Sequence, residues 1–411
     1  MGKKRKALPV LIGIILIRGF AGAINVCASL FLSPVSQSLG IGLGTLSLYF
    51  SIMSGVTVLW LPVAGKLMER YDARLLAVGA VALQGLSFAG FGLMNRVVGW
   101  YLLAIPQAMG SAILVNLLGP ILINRWFPHR TGMILGILMA CVGVFGAVLQ
   151  SVISQMIQNY GWRTAYSALG FASFVIGSGS ALLLLENCPK APPLEDNRKQ
   201  TADTSTHGIE ISEKEAISSI SFWMLLLFML LLTGVAVFTQ HIPTYGGLLG
   251  YPLGQVGVAM SMVSVGSAVG ALVIGVVSDR IGQLRTCFGI LGLWALSVVG
   301  FLLSEESYFL FVASALVFGV ATASLGVIVP LLALLFYGKR DYEKLYAKVS
   351  MGAPIASILL IPAYGYLYDA AGSYFGVLIL LLVLLVLAGI AIAFGWKKRC
   401  TAAGCPTWRN R

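Results

Sequence analysis

Apolar runs of about twenty residues or more recur along the whole chain, separated by short polar breaks. At ~20 apolar residues per membrane crossing, the pattern predicts twelve helices. They fall at approximately 8–33, 44–66, 73–94, 97–123, 130–158, 163–185, 218–241, 254–278, 283–303, 307–336, 345–368 and 374–396. One long polar stretch, ENCPKAPPLEDNRKQTADTSTHGIEISEKEA, separates the sixth from the seventh and reads as a linker, disordered or partly helical. The expected organisation is an N-terminal six-helix bundle (1–186), a cytoplasmic linker (187–217), a C-terminal six-helix bundle (218–396) and a basic cytoplasmic tail (397–411). The fold class is an all-α membrane protein with twelve transmembrane helices in two pseudo-repeats.

Composition agrees with this pattern. Of 411 residues, 58% are hydrophobic and 10% charged, where a soluble protein carries roughly a quarter charged residues. The net charge of +12 would suggest nucleic acid in a soluble protein, so its location matters. With the N-terminus inside, 24 of the 27 Lys and Arg residues fall in even-numbered loops, their flanking span ends, or the termini. Arg96 and Arg163 fall on the other side, and Arg18 lies within a span. That asymmetry is the positive-inside rule, which makes the charge a topology signal and removes nucleic acid as a partner. Both termini are expected in the cytoplasm of a cell-membrane protein. The N-terminal MGKKRKALPVLIGIIL…AGA has some look of a signal peptide, but Arg18 interrupts its apolar region and cleavage would leave an odd number of spans. Six cysteines show no framework spacing, and Cys400 and Cys405 in the basic tail, without the tight pairs of a zinc site, are read as free thiols facing a reducing cytosol.

The halves repeat. GKLMERYDAR (Gly65 to Arg74) follows the second span and GVVSDRIGQLR (Gly275 to Arg285) the eighth, with the two glycines 210 residues apart (275 less 65). Gly161, before span six, and Gly372, before span twelve, are 211 apart (372 less 161). Six spans per half keep the two repeats in the same orientation.

The loop pair resembles the Gly-x-x-x-Asp-Arg-x-Gly signature of the major facilitator superfamily. The second copy matches at Gly275, Asp279, Arg280 and Gly282; the first has Glu69, Arg70 and, in place of the last glycine, Asp72. NLLGPILINRWFPHRTGMILGI, GWRTAYSALG and GYLYDAAGSY are similar to the monocarboxylate porters and oxalate/formate-type antiporters within that superfamily. The resemblance implies two bundles around a central cavity that opens alternately to either side, lined mainly by helices one, four, seven and ten. It also implies that Glu69, Arg70, Asp279 and Arg280 gate the cytoplasmic face.

Arg18 is the unusual residue. It stands with Gly22, Asn25 and Ser29 on one face of helix one, at i, i+4, i+7 and i+11. It lies nine residues after Pro9, or ~14 Å into the membrane, where a charge is expensive and usually functional. A purely structural reading has it snorkel to the interface or tie to a backbone carbonyl. The fifteen acids fall in loops, termini or span ends, so an anionic substrate would suit a cavity-facing Arg18. Its planar fork matches a carboxylate. Gln107 and Asn116, in helix four, join Arg18 and Asn25 as candidate substrate contacts, while His241 at a span end reads as a local hydrogen-bonding group. Anion carriers of the oxalate/formate type often hold basic residues in helices eight and eleven, where this chain has Ala271 and Ala353. A single arginine favours a monocarboxylate.

No GxxxxGK[ST] phosphate loop occurs, and His129, His207 and His241 are scattered. An ATP-driven pump, an enzyme, a cofactor and a metal site are therefore not expected. The expected function is secondary transport of a small organic anion by a monomeric unit in the bilayer. The alternatives are another small neutral or amphipathic solute, or a non-transporting receptor or channel.

Overall fold

The computed structural model describes residues 2–126, 131–185, 213–305, 307–337 and 342–403. Residues 187–212 of the predicted linker and 404–411 of the tail lie outside them. Among the described residues every element is helical and none is a strand. Helices suit a lipid solvent because every interior N–H and C=O is satisfied within the segment. Outward-facing Leu59, Leu183 and Phe309 are exposed, as expected where lipid replaces water.

Span one is α1 (Gly2–Cys27), a 3₁₀ turn (Ala28–Phe31) and α2 (Leu32–Leu39). Spans two and three are α3 (Leu43–Arg70) and α4 (Ala73–Phe91). Span four is α5 (Val97–Ser111), which passes through a π-helical stretch (Ala112–Leu118) into α6 (Gly119–Trp126). A single long element, α7 (Thr131–Leu184), holds spans five and six, bent at Gly161 (φ 82°, ψ 161°). After a short α8 (Glu213–Ser218), span seven repeats the plan of span one: α9 (Ile220–Ala236), a 3₁₀ turn (Val237–Gln240), then α10 (Ile242–Leu248). Spans eight to ten are α11 (Leu253–Ile281), α12 (Gln283–Leu302), and α13 (Tyr308–Thr322) with α14 (Ser324–Tyr337). The segment expected to open span eleven is a separate helix, α15 (Tyr342–Val349); span eleven itself is α16 (Gly352–Ala371). Span twelve, α17 (Phe375–Ala403), runs seven residues into the segment read as tail (403 less 396).

Positive-φ glycines mark the repeat. Gly40 and Gly250 close spans one and seven, 210 residues apart (250 less 40), and Gly161 and Gly372 precede spans six and twelve. Each terminates a helix in a backbone region that other residues adopt only with strain. The fifth, Gly282 (φ 89°), caps α12, whereas its counterpart Asp72 caps α4 by accepting from the Arg74 N–H at 2.9 Å. The apparent departure in the first signature loop is thus a second solution to the same turn.

Within the N-terminal half, α1 and α4 pack on α7; within the C-terminal half, α11 packs on α13 and α9 on α17. Two further pairings cross between the halves, α3 with α16 and α7 with α11. Along both, the hydrogen bonds described below cluster towards the end that carries Gly40, Gly161, Gly250 and Gly372.

Candidate functional site

Arg18 is buried, with 6% of its surface exposed. Its stem passes over Gly119, the first residue after the π-helical stretch. A Cβ on Gly119 would stand 3.5 Å from Arg18 Cδ, 3.8 Å from Nη1, and 2.7 Å from Leu138 on α7. The guanidinium stem therefore sits among spans one, four and five, inside the N-terminal half, and not against lipid. Any larger residue at 119 would press on it.

Two turns along α1, Asn25 Nδ2 donates to Ser111 Oγ at 2.9 Å, tying span one to span four. The Asn25 Oδ1 is buried with no protein partner. Gln107, one turn before Ser111, is completely buried, and neither its Oε1 nor its Nε2 meets a partner. Span three adds Gln84, whose Nε2 donates to the Ala21 carbonyl at 3.0 Å while its Oε1 is left over. Gln84 packs against α5 where a Cβ on Gly110 would approach its backbone N to 2.7 Å. Three amides and a hydroxyl thus gather among spans one, three and four with several unused hydrogen-bonding positions. A buried polar group left unsatisfied costs ~1–3 kcal/mol, so such a cluster suits water or a polar ligand.

Sequence reasoning selected Asn25 and Gln107 but missed Gln84 and Ser111. The available signal for Gln84 was a lone amide within an apolar run. Asn116 lies apart from this cluster: it is exposed, on the π-helical stretch. Such stretches are frequent at functional sites. Arg70, Asp279 and Arg280 are exposed at the end opposite the cross-half bonds; the side chain of Glu69 lies outside the described residues. Among the described residues no three His, Cys, Asp or Glu side chains gather as metal ligands.

His241 is fully buried and local in its bonding. It contacts the Tyr374 hydroxyl through Nδ1 and the Ile361 carbonyl through Nε2, both at 2.8 Å. A carbonyl can only accept, so Nε2 carries the proton and the tyrosine hydroxyl donates to Nδ1.

The halves meet at two seams. On the first, between α3 and α16, Asp369 accepts from the backbone N–H groups of Leu43 (3.0 Å) and Gly44 (2.8 Å), and the Ser51 hydroxyl donates to the Ile358 carbonyl (2.7 Å). On the second, between α7 and α11, Gln158 Oε1 accepts from the Gly254 N–H (3.2 Å) and the Ser261 hydroxyl reaches the Ala147 carbonyl (2.5 Å). Gln150 also bridges the halves, donating to the Val26 carbonyl (3.3 Å) and accepting from Ser264 (2.8 Å). Beside the seams, between α2 and α10, lies a cavity of about 380 Å³ lined in part by Ser33, Gln37, Thr244 and Tyr251.

The sequence profile of the Major Facilitator Superfamily matches residues 12–262 and 249–402. The oxalate:formate antiporter of Oxalobacter formigenes is 23% identical over 269 residues, covering 64% of this chain and 62% of its own. Human monocarboxylate transporter 11 is 26% identical over 361 residues, covering 84% of this chain and 73% of its own. Among solved structures, the inward-facing, occupied form of a bacterial homologue of the human lysosomal transporter Spinster superposes with a TM-score of 0.70. It shares 12% identity, and the match covers 98% of each chain.

Proposed function

The chain belongs to the major facilitator superfamily, and from that premise we propose that it carries a small organic anion, foremost a monocarboxylate, across the membrane by alternating access. The observation that carries this reading is Arg18, a permanent cation buried in the membrane interior about 10 Å along α1 from amides with spare hydrogen-bonding capacity. A carboxylate is the group that the guanidinium fork binds best. Asn25 and Gln107, with Gln84, offer donors and acceptors for the remainder of a small substrate. Asn116, on the same span as Gly119, is the outlying candidate contact. Ala271 and Ala353 leave no second cation at the places where oxalate/formate-type carriers often have one, which fits a single carboxylate. The relatives named for oxalate, formate and monocarboxylates support the same chemistry.

In this reading both termini are cytoplasmic and the sealed seams lie at the outer face. The form described is then inward-facing, with Arg70, Asp279 and Arg280 exposed at the cytoplasmic side, where they and Glu69 are the proposed gating residues. With acids confined to loops, termini and span ends, exchange of one anion for another is favoured over proton coupling through a buried carboxylate. The functional unit is one chain, with no cofactor.

The test is binding of small carboxylates to purified protein, first as a thermal-shift panel and then by titration of the best. A hydrogen bond to a charged group contributes ~1.5–3 kcal/mol. Arg18→Gln should therefore weaken binding about tenfold to a hundredfold, and Arg18→Lys, which keeps the charge but not the fork, should fall between. Equal affinities in folded wild type and Arg18→Gln would refute the assignment.

A further inference from the structure

Four of the cross-half bonds are one pair used twice. Adding 210 to Gly44 gives Gly254, and adding 211 to Gln158 gives Asp369, so the two bonds at the seam ends are repeat equivalents. Likewise Ser51 and Ser261 differ by 210 (261 less 51), and Ala147 and Ile358 by 211 (358 less 147). A supporting bond repeats too: Tyr101 donates to the Thr45 carbonyl and Tyr308 to the Gln255 carbonyl.

What the end bonds do follows from where they fall. The first four N–H groups of a helix have no partner inside it, and a side chain just before the helix usually supplies one. Here the residues before α3 and α11 are Gly42 and Pro252, and neither provides a side-chain cap. The cap comes instead from the opposite half, onto Leu43 and Gly44 of α3 and onto Gly254 of α11. The end of α16 that bears Asp369 is itself held, since Tyr368 stacks on Tyr374 at 4.9 Å and Tyr374 is bonded to His241.

We propose that Asp369 and Gln158 are latches of unequal strength at one gate, each capping a helix of the other half, and that Asp369 sets the ratio of sealed to open forms. The two differ in charge and in number of bonds. Asp369 brings a negative charge to two N–H groups at a helix start, where the helix dipole favours it; Gln158 brings a neutral carbonyl to one. Opening this end requires both caps to leave, and the N–H groups they abandon must find water. This rests on the alternating-access reading, but its measurement does not depend on the substrate.

The experiment reads the distance between nitroxides on Ser38 and Phe309, both exposed and on opposite halves at the sealed end. The labels are attached to ketone-bearing amino acids, which leaves the six cysteines intact. Asp369→Ala should raise the ratio of the long-distance form to the short one by roughly tenfold, the loss of one to two charge-assisted bonds to solvent, and Asp369→Asn by less. Adding Gln158→Glu to Asp369→Ala should restore the short distance in large part, because it places a charge on the other cap. If Asp369→Ala fails to fold, Asp369→Asn and Gln158→Glu decide by moving the ratio in opposite directions. Unchanged ratios, or the same direction for loss and gain of charge, overturn the latch. Shifts as stated in a protein that moves no carboxylate would leave the latch standing and remove the transport assignment; transport with unmoved ratios would do the reverse.

Discussion

Replacing Gly365 with alanine tests whether the seam between α3 and α16 depends on backbone contact. A Cβ at 365 would lie 2.6 Å from Gly44 Cα and 2.7 Å from Gly44 N. Both are backbone atoms, so no rotamer change relieves the clash. Carbon atoms settle at about 3.5–4.0 Å, which forces α3 and α16 apart by roughly 1 Å. The Asp369 bonds, at 3.0 and 2.8 Å, then pass beyond hydrogen-bonding range. Two bonds to a charged group would be worth ~3–6 kcal/mol at face value. Asp369 is an exposed residue, and water replaces much of what is lost, so about 1–2 kcal/mol is the reasonable figure. That is about a five- to thirtyfold shift away from the sealed form. Alanine is also the better helix former by up to ~1 kcal/mol, so α16 itself should not weaken. Hydrogen exchange across residues 40–50, resolved to the Leu43 and Gly44 amides, should quicken by that factor. The control is Gly289→Ala on α12, where a Cβ meets nothing within 4 Å. Equal protection at those two amides in both variants would refute the reasoning, as would a rise spread evenly over every helix.

Two further outcomes are expected, the first from the proposed gating role and the second from described contacts. Glu69→Gln and Asp279→Asn should each change transport rate more than substrate affinity, by shifting populations; normal rates together with normal labelling of cytoplasmic cysteine probes would dismiss a gating role. His241→Phe removes two buried hydrogen bonds, worth ~2–3 kcal/mol together, and should lower the thermal midpoint while leaving the pH profile of transport in shape. A displaced profile would instead assign the imidazole a proton.

The spans and the repeat were legible because lipid imposes length and apolarity on every helix, and because loop turns need glycine at fixed places. Gly161 and Gly372 were visible as letters before their positive φ was known. The limits of legibility are local. Nothing apolar marks the 3₁₀ turns at Ala28–Phe31 and Val237–Gln240, since hydropathy is indifferent to how tightly a helix winds. Span eleven was placed early because α15 extends its helical pattern, though Tyr342–Val349 packs as a separate piece. Arg18 announced itself by cost alone. Gln84 shows only as a lone amide in an apolar run, because its partner, the Ala21 carbonyl, is backbone and leaves no side-chain trace. The seams were equally silent: Ser51, Ser261 and Gln158 are ordinary polar residues until their carbonyl and N–H partners on the other half are known.

The repetition at the seams also bears on ancestry. Gln158 and Ser51 in the N-terminal half play the parts that Asp369 and Ser261 play in the C-terminal half, and Ala147 and Gly44 those of Ile358 and Gly254. Each half therefore carries both sides of the same contact, as the subunits of an isologous dimer do. Two copies of either half facing each other about a two-fold axis would find each of these donors opposite its acceptor. The joint between the halves is of the kind that a duplicated homodimer leaves behind, with glutamine against aspartate the one difference among the side chains that make these bonds.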